Sequence, residues 1–237
     1  MADELRVAAA SDLAYCLEEL HKALRRKFPE LEIKHSSGSS GNFFAQIKAG
    51  APFDVFLSAD VDYPRALVAA GLADAQSLTP YALGRIVLWS RNERLALHQG
   101  LAALRAPGIR KIAIANPEHA PYGRAAREAL QQSGLWPAVQ PRLVLGENIS
   151  QTFQFAQTGN ADVGIVALSL VLSPQLQSKG HYQLIPAELH KPLLQAAVIT
   201  RRGAANPWAA RYRDFLRSTE ARAVFERYGF VLPADLP

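Results

Sequence analysis

Apolar residues fall along this chain either in short unbroken runs or at intervals of three and four, and the two patterns alternate. Residues 5–10 form the first run, which predicts a buried strand. After Ser11 and Asp12, the positions Leu13, Leu17, Leu20, Leu24 and Phe28 share one face of a helix that Pro29 ends. Residues 31–36 alternate and predict a second strand. The serine-glycine segment 36–41 then reads as a strand-to-helix loop, with Phe43 and Phe44 in a helix over about 42–49. Residues 54–58 make a third strand. Asp60 caps a helix to about residue 70, with Gly71 just beyond it.

This β-α-β-α-β-α order predicts a parallel sheet with helices on both faces. The rhythm restarts after about residue 83, with strands at 86–89, 112–115, 143–145 and 161–167 and helices at 123–132 and 150–157. A strand at 196–200 and helices at 207–216 and 220–228 close the chain. Helices after a late strand imply a return to the first half. The expected architecture is α/β with two lobes, one of residues 1–82 plus 198–237 and the other of residues 83–197, joined by a hinge of two crossings.

Composition narrows the class. Of 237 residues, 49% are hydrophobic and 20% charged, which suits a globular protein with one large core or two smaller ones. The longest apolar stretch, 163–172, is broken by Gly164 and Ser169 and is far shorter than the ~20 residues that span a bilayer. The start, MADELRV, has neither a basic n-region nor an apolar h-region, so no signal peptide is expected in this chain. The single cysteine, Cys16, excludes an internal disulfide and reads as a small buried hydrophobe. The net charge of +5 comes from scattered basic residues, some of them (Arg25, Arg26, Lys27) at a helix end where they complement the dipole. That distribution argues against nucleic acid and fits a mild field that attracts anions.

Familiar catalytic patterns are missing from the sequence. There is no Gly-x-Ser-x-Gly elbow, no phosphate-binding G-x-x-x-x-G-K-[ST] loop, no H-E-x-x-H and no cysteine pair. The six histidines lack metal-ligand spacing and read as surface or capping residues, so neither a free-metal site nor a catalytic residue is assigned. What remains is a set of small polar residues at strand-to-helix junctions: Ser11-Asp12, Ser39-Ser40-Gly41, Pro121-Tyr122-Gly123 and Asn148-Ile149-Ser150. In open α/β sheets ligands bind beyond the carboxyl ends of the strands. Helix N-termini there offer unpaired N–H groups and partial positive charge, which together can hold an anion. Taken singly, each of these residues is an ordinary helix cap.

Taken in order, AAASDL at 8–13, SSGSSGNFFAQIKAGAPFDVFLSAD at 36–60, ANPEHAPYGRAAREAL at 115–130, GNADVGIVALS at 159–169 and ERYGFVLP at 226–233 cover nearly the whole chain. Together they resemble the periplasmic molybdate-binding proteins of ABC transporters. The resemblance implies a type II periplasmic-binding fold, with molybdate or tungstate held in the cleft by hydroxyls and backbone N–H groups. Matched residue by residue, it assigns the ligand to Ser11, Asp12, Ser40, Tyr122 and Ile149, with Ser39 and Ala167 as weaker matches. Asp12 is expected to offer its N–H and turn its carboxylate away from the dianion. Ala167 stands where some members place a tyrosine. The resemblance further implies a monomeric, periplasmic, non-enzymatic protein in mature form, without a cofactor, that serves a membrane permease. The competing readings are a sulfate- or other oxyanion-binding protein, a regulator's effector domain, or an enzyme using Asp12 or Asp60. Molybdate is fully deprotonated near neutral pH and needs only donors, so a rigid cage can select it by size.

Overall fold

The computed structural model describes residues 4–176 and 179–233; residues 1–3, which enter the N-terminal reading, and the segments 177–178 and 234–237 lie outside it. The first sheet takes strands β1 (Glu4–Ala10), β2 (Glu32–Gly38), β3 (Val55–Ser58) and β4 (Thr79–Gly84), with helices α1 (Ala14–Lys27), α2 (Ser40–Lys48) and α3 (Asp62–Ala69) between them. The second takes β5 (Ile86–Ser90), β6 (Ile112–Ala115), β7 (Leu143–Gly146), β8 (Val163–Ala167) and β9 (His181–Leu184). Its helices are α4 (Pro121–Gln132), α5 (Trp136–Val139), α6 (Ile149–Thr158) and α7 (Leu168–Val171). Strand β10 (Leu193–Ile199) and helices α8 (Pro207–Leu216) and α9 (Thr219–Arg227) follow.

The two five-stranded sheets have the orders β2-β1-β3-β10-β4 and β7-β6-β8-β5-β9. Both are mixed rather than purely parallel. Strand β10 runs antiparallel to β3 and β4, and β5 runs antiparallel to β8 and β9, while β1 pairs parallel with β2 and β3 and β6 with β7 and β8. The antiparallel strands are those that flank the lobe crossings. Arg85 alone separates β4 from β5, so the first crossing is a single residue. Because β4 extends to Gly84 and β10 begins at Leu193, the boundaries expected at 82/83 and 197/198 both move. The run 193–195, Leu-Leu-Gln, was read as outside the strand, yet it pairs with β4 and belongs to the first sheet.

Alternation along β1 divides the first lobe's apolar side chains between two layers. Leu5, Val7 and Ala9 face one cluster with Leu17, Leu20 and Leu24 of α1 and Tyr212, Leu216 and Phe225 of α8 and α9. Ala8 faces the other, with Phe43 and Ile47 of α2, Phe56, and Val198. Cys16 sits in the first layer as expected and is 1% exposed. His21 departs from the surface reading. It occupies the apolar face of α1, is buried, and pairs through Nε2 with the Tyr212 hydroxyl at 2.8 Å. His190 is buried as well.

Candidate functional site

The four junctions read from the sequence meet at one place. Strand β1 ends in a tight 3-10 turn at Ser11–Leu13, α2 begins at Ser40, α4 at Pro121 and α6 at Ile149. Ser11, Asp12, Ser39, Ser40, Tyr122 and Ile149 line a cavity closed further by Gly38, Ala59, Ala120 and Pro121. Its free volume is about 10 Å³, and no lysine or arginine lines it. Ser40, Tyr122 and Ile149 stand in the first two positions of their helices, so their N–H groups have no acceptor within the helix. Pro121 at the start of α4 fits this arrangement, because it lacks an N–H and carries a helical φ. Ala167 is buried at the end of β8 and is not among the residues that close the cavity; its methyl group cannot do what a tyrosine at that position could.

The three serines play different parts. Ser39 is the cap of α2. Its hydroxyl accepts from the Asn42 N–H at 3.4 Å and pairs with His119 Nδ1 at 3.0 Å. Ser40 is 1% exposed, and its oxygen accepts from the Ala59 N–H at 3.0 Å. That bond uses a lone pair and leaves the Ser40 proton without an acceptor among the described residues, so the hydroxyl is a fixed donor beside the cavity. Ser11 donates to Asn148 Oδ1 at 3.2 Å and accepts from the Ser150 N–H at 3.3 Å, so its hydroxyl bridges the lobes.

The Asp12 side chain is turned into a buried network. Its Oδ2 accepts from the Tyr122 hydroxyl at 2.7 Å and from Gln195 Nε2, and Gln195 in turn accepts from the Tyr81 hydroxyl at 2.9 Å. The Tyr122 hydroxyl is therefore engaged by the carboxylate, and the part of Tyr122 left for a ligand is its backbone N–H. Burial pushes the Asp12 carboxyl up to about 6, against the pull of the Gln195 and Tyr122 bonds. Burial, then the neighbouring Asp12 charge, pushes the Tyr122 hydroxyl well above its usual range.

The profile of the family described as bacterial extracellular solute-binding protein matches residues 5–231. The chain belongs to that family. This solute-binding protein is 38% identical to the molybdate-binding protein ModA of Rhodobacter capsulatus over 97% of its own length and 89% of that protein's. It is also 38% identical to ModA of Azotobacter vinelandii, over 98% and 91% of the two chains. The solved structure of the Azotobacter vinelandii periplasmic molybdate-binding protein superposes with a TM-score of 0.91 at 36% identity, covering 97% of this chain and 99% of that one. The resemblance and the α/β two-lobed fold read from the sequence are thus borne out.

In this solute-binding protein the lobes are held together across the cleft. Gly41 N–H donates to His119 O at 2.9 Å, Ser150 Oγ to Ser11 O at 2.8 Å and Ser169 Oγ to Asp12 O at 2.7 Å. Outside the cavity a larger cleft of about 710 Å³ shares Ala59 and Pro121 with it. Arg124 crosses there, donating to Asp60 Oδ2 at 2.7 Å and to the Tyr63 hydroxyl at 2.9 Å. Asp60 uses its other oxygen to accept from the Asp62 N–H at 2.9 Å, but it stands one residue ahead of the cap position of α3, which Val61 occupies, so the capping role read from the sequence is corrected to a turn just before the helix. Sequence reasoning did not find Gln195 or the Arg124 clasp. A lone glutamine within an apolar strand was the available signal for the first.

Arg124 is spent on the opposite lobe, so its removal acts on closure. Arg124→Ala is expected to weaken oxyanion binding by at most about 1 kcal/mol, as befits a pair whose side chains remain 28% and 27% exposed, and to do so through faster dissociation. Stopped-flow traces of the variant would check this. A hundredfold loss of affinity would make Arg124 a direct ligand instead.

Proposed function

We propose that this chain captures molybdate or tungstate between its lobes and delivers it to the membrane permease of an ABC importer. On this reading it works in the periplasm as a monomer and catalyses no reaction. The observation that carries it is a small cavity between two sheets that is lined by serine hydroxyls and helix N-termini and by no lysine or arginine. The names of the relatives at 38% identity point the same way. The proposed ligand donors are the Ser40 hydroxyl and the backbone N–H groups of Asp12, Tyr122 and Ile149, joined by the Ser11 hydroxyl once its proton turns from Asn148 Oδ1 to the anion, with Ser39 as the cap that fixes their register. The two lobes would move about the crossings at Arg85 and ahead of Leu193, and an anion touching both would favour the closed form through its differential contacts.

Charge-assisted hydrogen bonds contribute about 1.5–3 kcal/mol each, so several converging donors suffice for tight binding. Helix N-termini cannot shorten or swing to follow a smaller ion, and the cage selects by size. Molybdate and tungstate are expected to bind with similar affinity and sulfate at least tenfold more weakly. Calorimetric titration with each ion checks this, and sulfate binding as tight as molybdate would refute it.

A further inference from the structure

We propose that the oxyanion enters together with one proton, taken from solvent by the Asp12 carboxylate and returned when the anion leaves. The inference rests on the proposed oxyanion site and adds a coupling to it. Asp12 lines the same small cavity as Ser11, Ser40, Tyr122 and Ile149, and it is 1% exposed. Its Oδ2 accepts from Tyr122 and Gln195, while its Oδ1 is buried without a partner. Oδ1 is therefore the free position for a proton in the closed protein.

No cation offsets the charge. Among the described residues, no hydrogen bond or ion pair reaches Asp12 from a lysine, arginine or histidine. The titratable groups that feel its charge are Tyr122 of α4, Tyr81 of β4 and Cys16 of α1. Burial holds all three above their usual ranges, so they stay protonated and neutral. Gln195 of β10 and Ser169 of α7, the remaining partners, do not titrate. The other titratable group bordering the site is His119, which pairs with Ser39 and lies 3.6 Å from Glu147.

A dianion placed in that cavity puts like charge beside a buried carboxylate. Like charge and desolvation both favour the neutral carboxyl. The Asp12 carboxyl already stands at about 6 from burial, so the anion lifts it through the neutral range. At pH 7 the free protein then holds Asp12 mostly ionised and the complex holds it mostly protonated. Affinity is full below about pH 6 and declines as pH rises, by up to tenfold per unit until the carboxyl of the complex also ionises.

The experiment is calorimetric titration with molybdate between pH 6 and 8.5, run in two buffers of different ionisation enthalpy. The expected uptake approaches one proton per anion near pH 7 and shrinks toward pH 6, and the Kd rises with pH. In Asp12→Asn the uptake vanishes, the Kd becomes independent of pH, and binding at pH 8.5 is tighter than in the parent. In Tyr122→Phe, which removes a donor to the carboxylate, the uptake window moves to higher pH. Binding without proton uptake in the parent overturns the coupling and leaves the oxyanion site standing. Uptake that survives in Asp12→Asn and disappears in His119→Asn also overturns it, assigning the proton to His119. No molybdate heat at any pH overturns the oxyanion site and the coupling with it.

Discussion

Gly41→Ala is expected to weaken molybdate binding five- to a hundredfold while leaving the open protein at least as stable as its parent. Gly41 is the second residue of α2, where any side chain fits the helix. The constraint that matters comes from His119 on the opposite lobe, since Tyr63 of α3 shares the lobe of Gly41 and its hydroxyl is the movable end of a side chain. A Cβ at Gly41 would stand 2.5 Å from the His119 carbonyl oxygen, 2.8 Å from the Tyr63 hydroxyl and 2.9 Å from His119 Cα. Two of those are backbone atoms and cannot rotate aside. Forcing an added methyl into such a contact costs about 1–3 kcal/mol, a cost charged only to the closed state and read as lost affinity. In the open state alanine improves helix propensity by up to ~1 kcal/mol. The two effects have opposite signs, which separates blocked closure from misfolding. Calorimetry and thermal unfolding of the anion-free variant give both quantities, and parental affinity would show that the lobes need not meet at Gly41.

The same residue shows what could and could not be read in advance. Most elements were legible because their patterns are local. Leu5, Val7 and Ala9 alternate with Ala8 across a buried strand, and the α1 face from Leu13 to Leu24 has helical spacing throughout. The serine-glycine segment misled as a loop, because Ser36, Ser37 and Gly38 have weak strand signals. They extend β2 only because β1 supplies a full parallel partner up to the Ala10–Gly38 pair. The cleft contacts left no local trace. Gly41 meeting His119, Arg124 meeting Asp60, and Asp12 meeting Tyr122 and Gln195 join residues 64–183 positions apart. A glycine needed for its neighbour rather than its own φ looks like any other glycine.

The candidate site was more legible than the lobe boundaries for a related reason. Residues at helix N-termini are of few types, so Ser39, Ser40 and Asn148 stand out at strand ends, and the resemblance selected among them. The hinge carries no such chemistry. Strand β4 contains Pro80 and Gly84, which obscure its pattern, and the crossing at Arg85 has neither the glycine nor the length of a linker.

Two neighbouring serines provide the sharpest test of which groups hold the anion. Ser40→Ala is expected to cost about 1.5–3 kcal/mol of molybdate affinity, the contribution of one charge-assisted donor, and also to lower stability. The second loss follows from the Ala59 N–H, whose bond to Ser40 Oγ at 3.0 Å is buried; without that oxygen the amide is left unpaired, at about 1–3 kcal/mol. Ser39→Ala removes the cap of α2, whose oxygen faces Asn42 N–H and His119 rather than being left over for a ligand. It should lower stability by about 1 kcal/mol and affect affinity by less than Ser40→Ala does. Denaturant unfolding of the anion-free proteins and calorimetry of the same preparations yield the four numbers. If Ser39→Ala lost more affinity than Ser40→Ala, the cap and the donor would have to exchange places, and the oxyanion would be held from the His119 side of the cleft.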